Sequence, residues 1–333
     1  MYFCAVNLSP GHFFLINNEE DFNESALAVF RHQAVYCEVY REYISHLGID
    51  PLAVNHYAAI PFLPISFFKS HAIVSSSKPA EITFSSSGTT GQITSKHLVQ
   101  DVSVYEESYN KAFEIFYGEP GEYCILALLP SYLERDGSSL IYMVDDLLKQ
   151  STHPLSGYFL HNHQELFETL KTLKANGQKT LLIGVTYALL DFTEQYQIDF
   201  PELIVMETGG MKGKRKEMVR AELHHLLCSA FGVEYIHSEY GMTELLSQAY
   251  SKGKGIFECP PWMKILLRDT SDPLSILSAA NTTGGVNVID LANINSCSFI
   301  ATQDLGKIYG ENRFEIMGRF DNADIRGCNL LVQ

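Results

Sequence analysis

Positive charge is scarce in this chain. Twenty-four lysines and arginines stand against 39 aspartates and glutamates, for a net charge of −15. Nucleic acid is bound by basic surface, so this balance argues against it as a partner, whereas a single nucleotide needs only a local site. By itself the acidity serves solubility. Cysteine pairing is missing too. Cys4, Cys37, Cys124, Cys228, Cys259, Cys297 and Cys328 are odd in number and form no CxxC pair, which argues against a disulfide framework and a zinc ribbon. Several sit in apolar runs as small hydrophobes, and reduced thiols in a cytoplasmic protein are the expectation. No apolar run approaches the roughly 20 residues needed to cross a bilayer. Met1–Pro10 has neither the basic flank nor the apolar centre of a signal peptide. The twelve histidines show no HExxH spacing, no Ser-His-Asp order stands out, and His224-His225 in a predicted helix point two ways. Repeats and heptads are absent. What remains is 333 residues, 46% hydrophobic and 19% charged, an ordinary globular balance for one large domain or two closely joined ones.

Against that background one stretch is rich. Ser85–Gly91 reads Ser-Ser-Ser-Gly-Thr-Thr-Gly, after the strand-like run Glu81–Phe84 and before a helix predicted to begin near Val99. Its hydroxyls are donors, and Gly88 and Gly91 let the backbone bend sharply and approach a ligand. Successive N–H groups in such a turn form a concave anion site suited to phosphate. The same composition also describes a polar linker.

From Asn23 to Leu47 apolar residues recur at three- and four-residue steps, predicting an amphipathic helix with Gly48 as its C-cap. After the polar loop, helices over Val102–Phe116, Ser139–Lys149, Leu166–Leu173, Tyr187–Tyr196 and Lys212–Phe231 alternate with strands. Those strands are Tyr123–Leu129, Tyr158–Leu160, Thr180–Val185, Leu203–Met206 and Val233–His237. Such alternation predicts an α/β fold with a parallel, helix-flanked sheet. From Gly255 short β-rich runs, Met263–Leu267, Val286–Ile289 and Ser298–Ala301, predict a smaller antiparallel subdomain. The expected division is 1–254 for the main portion and 255–333 for the β-rich part with a hinge-like tail.

Four further places can carry chemistry. Glu207–Met211, with Gly209 and Gly210, follows a predicted strand, where ligands of open α/β sheets bind and where glycines let a flat ring lie against backbone. An ordinary strand-to-helix turn reads the same way. Tyr240-Gly241-Met242-Thr243-Glu244 joins an aromatic ring, a hydroxyl and a carboxylate that can hold Mg²⁺; Thr243 can equally cap a helix carrying Glu244 in its first turn. Asp304, in Thr302–Gly306 after a strand, can accept from both hydroxyls of a ribose, or belong to a simple turn. Arg319, in Gly318–Asn322, can anchor a ribose or phosphate, with Asp321 as a hinge residue, or lie in a surface turn.

Taken in order, these five elements resemble the adenylate-forming superfamily of acyl-CoA synthetases, peptide-synthetase adenylation domains and luciferases. The stretches Leu129–Leu140 and Glu207–Gly213 look like signatures of its acyl-protein synthetase, LuxE-like, branch. The resemblance implies a large adenylate-forming domain. It also implies a chemistry: a fatty or other carboxylic acid and ATP give an acyl-adenylate and pyrophosphate, and a thiol then takes the acyl group. Ser86, Ser87, Gly88, Thr89, Thr90 and Gly91 would hold the ATP phosphates. Gly209, Gly210, Met211, Tyr240 and Gly241 would face adenine, Thr243 the α-phosphate, and Glu244 Mg²⁺. Asp304 and Arg319 would hold the ribose. Lys96 would stand for the loop lysine, although it lies further from Gly91 than is usual. Cys328, five residues from the end, stands where the branch carries its acyl-accepting cysteine. The superfamily's small C-terminal lid domain with its catalytic lysine is expected to be absent, since the chain stops at Gln333, and LuxE-like proteins are short in the same way. The expected partners are the acid and an acyl reductase or acyl-carrier protein. Two other readings follow from the same residues: transfer to the pantetheine of CoA or a carrier, and a non-catalytic acyl- or nucleotide-binding subunit.

Overall fold

The computed structural model describes residues 8–86, 93–130, 137–209, 218–277, 282–310 and 312–319. It opens on helices α1 (Pro10–Phe13), α2 (Glu19–Tyr36) and α3 (Glu38–His46). The single helix expected over Asn23–Leu47 is therefore two. Cys37 takes extended backbone, φ −90° and ψ 100°, and interrupts the run, while both pieces keep a buried apolar face through Phe30 and Ala34, then Tyr40 and Ile44. Asn18 caps α2 by accepting from the Asp21 N–H at 2.9 Å, with Glu19, Glu20 and Asp21 filling the acidic first turn.

Strand β1 (Leu63–Pro64) and helix α4 (Phe67–Ser70) lead to the antiparallel pair β2 (Ile82–Ser85) and β3 (Lys96–Val99). The helix expected near Val99 is thus corrected. His97 and Val99 point their side chains to a buried face at a two-residue step, which is strand periodicity, and α5 (Val102–Tyr117) begins only after Asp101. Of the Ser/Thr/Gly stretch, Ser85 ends β2 and Ser86 follows it; Ser87, Gly88, Thr89, Thr90 and Gly91 fall outside the described residues.

The expected alternation follows, with β4 (Cys124–Leu128), α6 (Ser139–Ser151), β5 (Gly157–Tyr158), α7 (His163–Ala175), β6 (Thr180–Val185), α8 (Thr186–Thr193), β7 (Ile204–Thr208), α9 (Arg220–Phe231) and β8 (His237–Tyr240). These strands pair in parallel. Every residue of β4 and β6 is buried, which is why both read as continuous apolar runs. The strand expected at Val233–His237 is displaced toward Tyr240. Val233 and Ile236 are buried in the approach without pairing, and the ladder with β7 starts only at His237 opposite Met206.

Beyond β8 the sheet reverses. Strands β9 (Ala249–Ser251), β10 (Ile256–Glu258), β11 (Met263–Arg268), β12 (Ile276–Leu277), β13 (Thr283–Asp290), β14 (Phe299–Ile308) and β15 (Arg313–Arg319) join antiparallel neighbours. Among the described residues, thirteen strands form one mixed sheet in the order β12-β11-β13-β14-β15-β10-β9-β8-β7-β6-β4-β5, with β1 added beside β14. No described helix is long and apolar enough to cross a membrane.

Candidate active site

Tyr240 ends β8, the last strand of the parallel ladder β4–β8, and the chain then turns through Gly241–Gln248 before β9. Thr243 was expected either to bind phosphate or to cap a helix. No helix follows it, so the capping reading, and with it a helix N-terminus as the anion site, is corrected. The turn's backbone groups are held instead by side chains brought from elsewhere. His97 of β3 bonds the Thr243 carbonyl at 2.9 Å, and Asn293 Nδ2 donates to the Glu244 carbonyl at 2.8 Å. Asp290 accepts from the N–H groups of Leu246 and Ser247 at 2.8 and 3.0 Å and from the Ser247 hydroxyl at 2.6 Å. Trp262 donates to that same hydroxyl at 3.0 Å. A buried turn without helix or ladder bonds is stable only when its polar groups are satisfied in this way.

Within this frame Glu244 is 6% exposed. Burial raises its pKa, against hydrogen bonds from the Ser95 side chain and its own backbone, and against the nearby charges of Arg319 and Lys69. A Cβ at Gly241 would lie 2.4 Å from Glu239 Oε1, so the Glu239 carboxylate, held by the Thr208 hydroxyl at 2.5 Å, would have to move to admit any side chain there. Gly209 ends β7 at φ +63°, the left-handed region a glycine adopts without strain, and its carbonyl accepts from the Thr186 hydroxyl at 2.6 Å.

Asp304 was expected after a strand and stands inside β14 instead, because that strand runs on from Ala301 to Ile308. It lies in register with Arg319 of β15. Its Oδ2 accepts from the Tyr240 hydroxyl at 2.8 Å and its Oδ1 from Arg319 Nε at 3.2 Å. The Arg319 side chain is 70% exposed, so its head faces solvent beside the carboxylate. Burial, followed by the charge of Asp304 and their hydrogen bond, lifts the Tyr240 hydroxyl well above its ordinary pKa, which keeps it a donor. The Tyr240 ring packs edge-on against Phe257 and Phe314 at 5.9 and 5.6 Å.

The structure therefore brings the sequence-predicted residues into two neighbouring groups. Tyr240, Asp304 and Arg319 form one. Glu244 and Thr243 form the other, against the connecting end of the β2–β3 hairpin. Ser86 is part of that end: its Oγ accepts from the Ser95 N–H at 2.9 Å and its N–H donates to the Ser95 carbonyl at 3.1 Å. Lys96 sits opposite Ser85, exposed, and makes no hydrogen bond or ion pair with a described residue. Gly210, Met211 and Cys328 lie outside the described residues.

Sequence reasoning missed His97, Lys69 and Arg268. The Arg268 guanidinium is buried beneath Asp304, donating to the carbonyls of Val286 at 2.7 Å and Thr302 at 2.5 Å and to Asn287 Oδ1 at 2.8 Å. Burial lowers its pKa while the negative charge of Asp304 opposes that shift. Its only sequence signal is the pair Gly284-Gly285: a Cβ at Gly285 would lie 2.8 Å from the Arg268 Cζ. No described cluster of three His, Cys, Asp or Glu side chains is placed to hold a metal ion. Glu244 instead fits the mode in which Mg²⁺ takes one protein carboxylate and completes its shell with phosphate oxygens and water.

Comparisons with known proteins bear on the fold and the family. Among solved structures the chain is similar to an open conformation of 2-hydroxyisobutyryl-CoA ligase in complex with 2-HIB-AMP and CoA. The TM-score is 0.69 and the identity 12%, over 91% of this chain and 70% of the ligase. The same ligase in its postadenylation state with R3-HIB-AMP matches with a TM-score of 0.68 and 12% identity, over 91% and 68% of the two chains. At that identity the likeness speaks for the fold alone. No curated protein is significantly similar in sequence. The family model described as acyl-protein synthetase, LuxE, matches residues 9–333. The chain belongs to the LuxE acyl-protein synthetase family.

Proposed function

We propose that this protein activates a carboxylic acid of the fatty type with ATP and Mg²⁺ and passes the acyl group to a protein thiol, its own Cys328. The observation that carries the first half is the convergence of Tyr240 and Arg319 on the Asp304 carboxylate, beside the buried Glu244. Family membership supports acid activation through an adenylate.

In the first step a carboxylate oxygen of the acid attacks the α-phosphorus of ATP. The bond from that phosphorus to the bridging oxygen breaks, and pyrophosphate leaves. This in-line displacement mainly requires stabilisation of the charge on the phosphoryl oxygens. Thr243 and the hydroxyls and N–H groups of Ser86–Gly91 supply donors for it. Each oxygen of Asp304 accepts one protein hydrogen bond and keeps a second acceptor site, so the carboxylate can still take the ribose hydroxyls while Arg319 orients it. Mg²⁺, when bound at Glu244, neutralises phosphate charge. Gly209–Met211 and Tyr240 border the adenine. In the second step the thiolate sulfur attacks the acyl carbon, forming a thioester and releasing AMP.

The test has two arms. Carboxylate-dependent exchange of pyrophosphate into ATP reads the first step, and retention of labelled acyl groups by wild type and Cys328→Ser reads the second. Exchange with label lost in the variant supports the whole reading. Exchange without protein label, but with acyl-CoA formed when CoA is added, moves the acceptor to pantetheine. No exchange with short, long or aromatic acids overturns the activity.

A further inference from the structure

The phosphate-loop hairpin is not part of the large sheet. Strands β2 and β3 pair only with each other, as a separate two-stranded sheet. Something must therefore hold the Ser86–Ser95 end of this hairpin against Thr243 and Glu244, which follow the last residue of β8. Of the described side chains, His97 spans that gap by a direct hydrogen bond to the turn's backbone. It is 1% exposed, its Nδ1 lies 2.9 Å from the Thr243 carbonyl oxygen, and its ring meets Phe68 edge-on at 5.8 Å. A carbonyl oxygen only accepts, so Nδ1 carries the hydrogen. The Ser95 side chain, two residues earlier on the same hairpin, bonds the Glu244 carboxylate. The hairpin thus grips both residues, one through backbone and one through side chain.

Building on the adenylation reading above, we infer that His97 is a positioning residue for nucleotide binding, setting the Ser86–Ser95 end of the β2–β3 hairpin against Thr243 and Glu244 through its bond to the Thr243 carbonyl. It touches neither phosphate nor acid. Its effect is on MgATP affinity rather than on the affinity for the acid. A ring that merely filled space would be replaceable by another ring, whereas a positioning donor is replaceable by another donor at the same place. The Asn amide nitrogen lies about where Nδ1 does, and that of Gln falls a bond further out. Neutral burial suits the role: the absence of water drives the His97 pKa down to about 4, with the Thr243 carbonyl the smaller, opposing influence.

The experiment compares wild type with His97→Asn, His97→Gln and His97→Phe. It uses equilibrium MgATP binding by calorimetry, and hydrogen exchange of the amides in 82–86 and 93–99 in the ligand-free protein. His97→Asn is expected to bind MgATP within about threefold of wild type. His97→Phe and His97→Gln are expected to bind about tenfold more weakly, the equivalent of one lost buried hydrogen bond. Hairpin amides should exchange faster in the same two variants, with acid affinity unchanged in all. If Phe fails to fold, the Asn and Gln pair still decides. Equal MgATP affinity and equal hairpin protection in Asn, Gln and Phe variants overturn the inference. Wild type that performs no acid-dependent exchange overturns the adenylation reading instead, and the hairpin protection pattern still judges His97 separately.

Discussion

Across β14 and β15, Asp304 and Arg319 face each other in register, and Tyr240 reaches the same carboxylate from β8, 64 residues earlier in the chain. One acidic side chain is thus shared by three strands. Asp304→Ala removes the acceptor of both bonds and is expected to lower kcat/KM for ATP in pyrophosphate exchange by about 100-fold, in the range for losing charged hydrogen bonds. Tyr240→Phe keeps the ring edge-on against the stacked pair Phe257 and Phe314 and is expected to cost about tenfold or less. Arg319→Ala should raise KM for ATP with little change in Tm, since the side chain is mostly in solvent. Unchanged exchange in Asp304→Ala would remove this trio from the nucleotide site.

Gly241 tests steric coupling. Gly241→Ala drives the Glu239 carboxylate away and breaks its bond to Thr208. A destabilisation of about 1–3 kcal/mol is expected, with weaker MgATP binding. Adding Glu239→Ala removes the obstructing atoms, so the double variant should be more stable than the sum of the single effects predicts. Thermal unfolding of the four proteins closes the cycle. Additive losses would mean the turn does not depend on this contact.

Asp290 is fully buried and serves four hydrogen-bond donors, including the Ala292 N–H. Asp290→Ala takes the acceptor from the N–H groups of Leu246, Ser247 and Ala292, while the Ser247 hydroxyl keeps Ser108 as a partner; a loss of about 3 kcal/mol or more is expected in urea unfolding. Asp290→Asn keeps an acceptor oxygen and should lose less. Similar small losses in both would show that water replaces the carboxylate.

His237 makes a pH prediction. Burial, and then the charge of Lys252, lower its pKa to about 4, while the Tyr117 hydroxyl sits 3.2 Å from its Nδ1. In the unfolded chain the ring protonates near pH 6.5. The unfolded state therefore binds the extra proton between about pH 6.5 and 4, and stability contributed by the neutral ring is present above that window and lost as pH falls through it. The slope approaches about 1.4 kcal/mol per pH unit for one proton. His237→Phe should flatten the difference in unfolding free energy over this window. A slope identical to wild type would assign the acid sensitivity elsewhere.

Much of the parallel half could be read from the chain because β4 and β6 are buried on both faces and α7 only along Leu166, Leu170 and Leu173, so periodicity alone separates β6 from α7. The errors fall where tertiary contacts replace local ones. Cys37 breaks a helix that its neighbours' spacing would continue, and β3 is a strand whose partner is the short β2. The candidate site divides the same way. Tyr240, Glu244, Asp304 and Arg319 are recognisable by type and order. His97 and Arg268 are not, since a lone histidine in a strand and an arginine at a strand end carry no motif until the fold sets them 2.9 Å from Thr243 and beneath Asp304.

The turn after Tyr240 has a temporal side. Gln33 of α2 donates to the carbonyls of Asn293 and Ile294 at 2.9 and 3.1 Å, and Asn293 in turn holds Glu244. Contacts this distant in sequence form late, because long loops must close first. A nascent chain that has emerged only as far as Ser247 already holds Tyr240, Thr243, Glu244 and His97, but neither Asp290 nor Asn293. Competence to bind nucleotide should therefore arrive once Asp290 and Asn293 have emerged rather than with the motif itself.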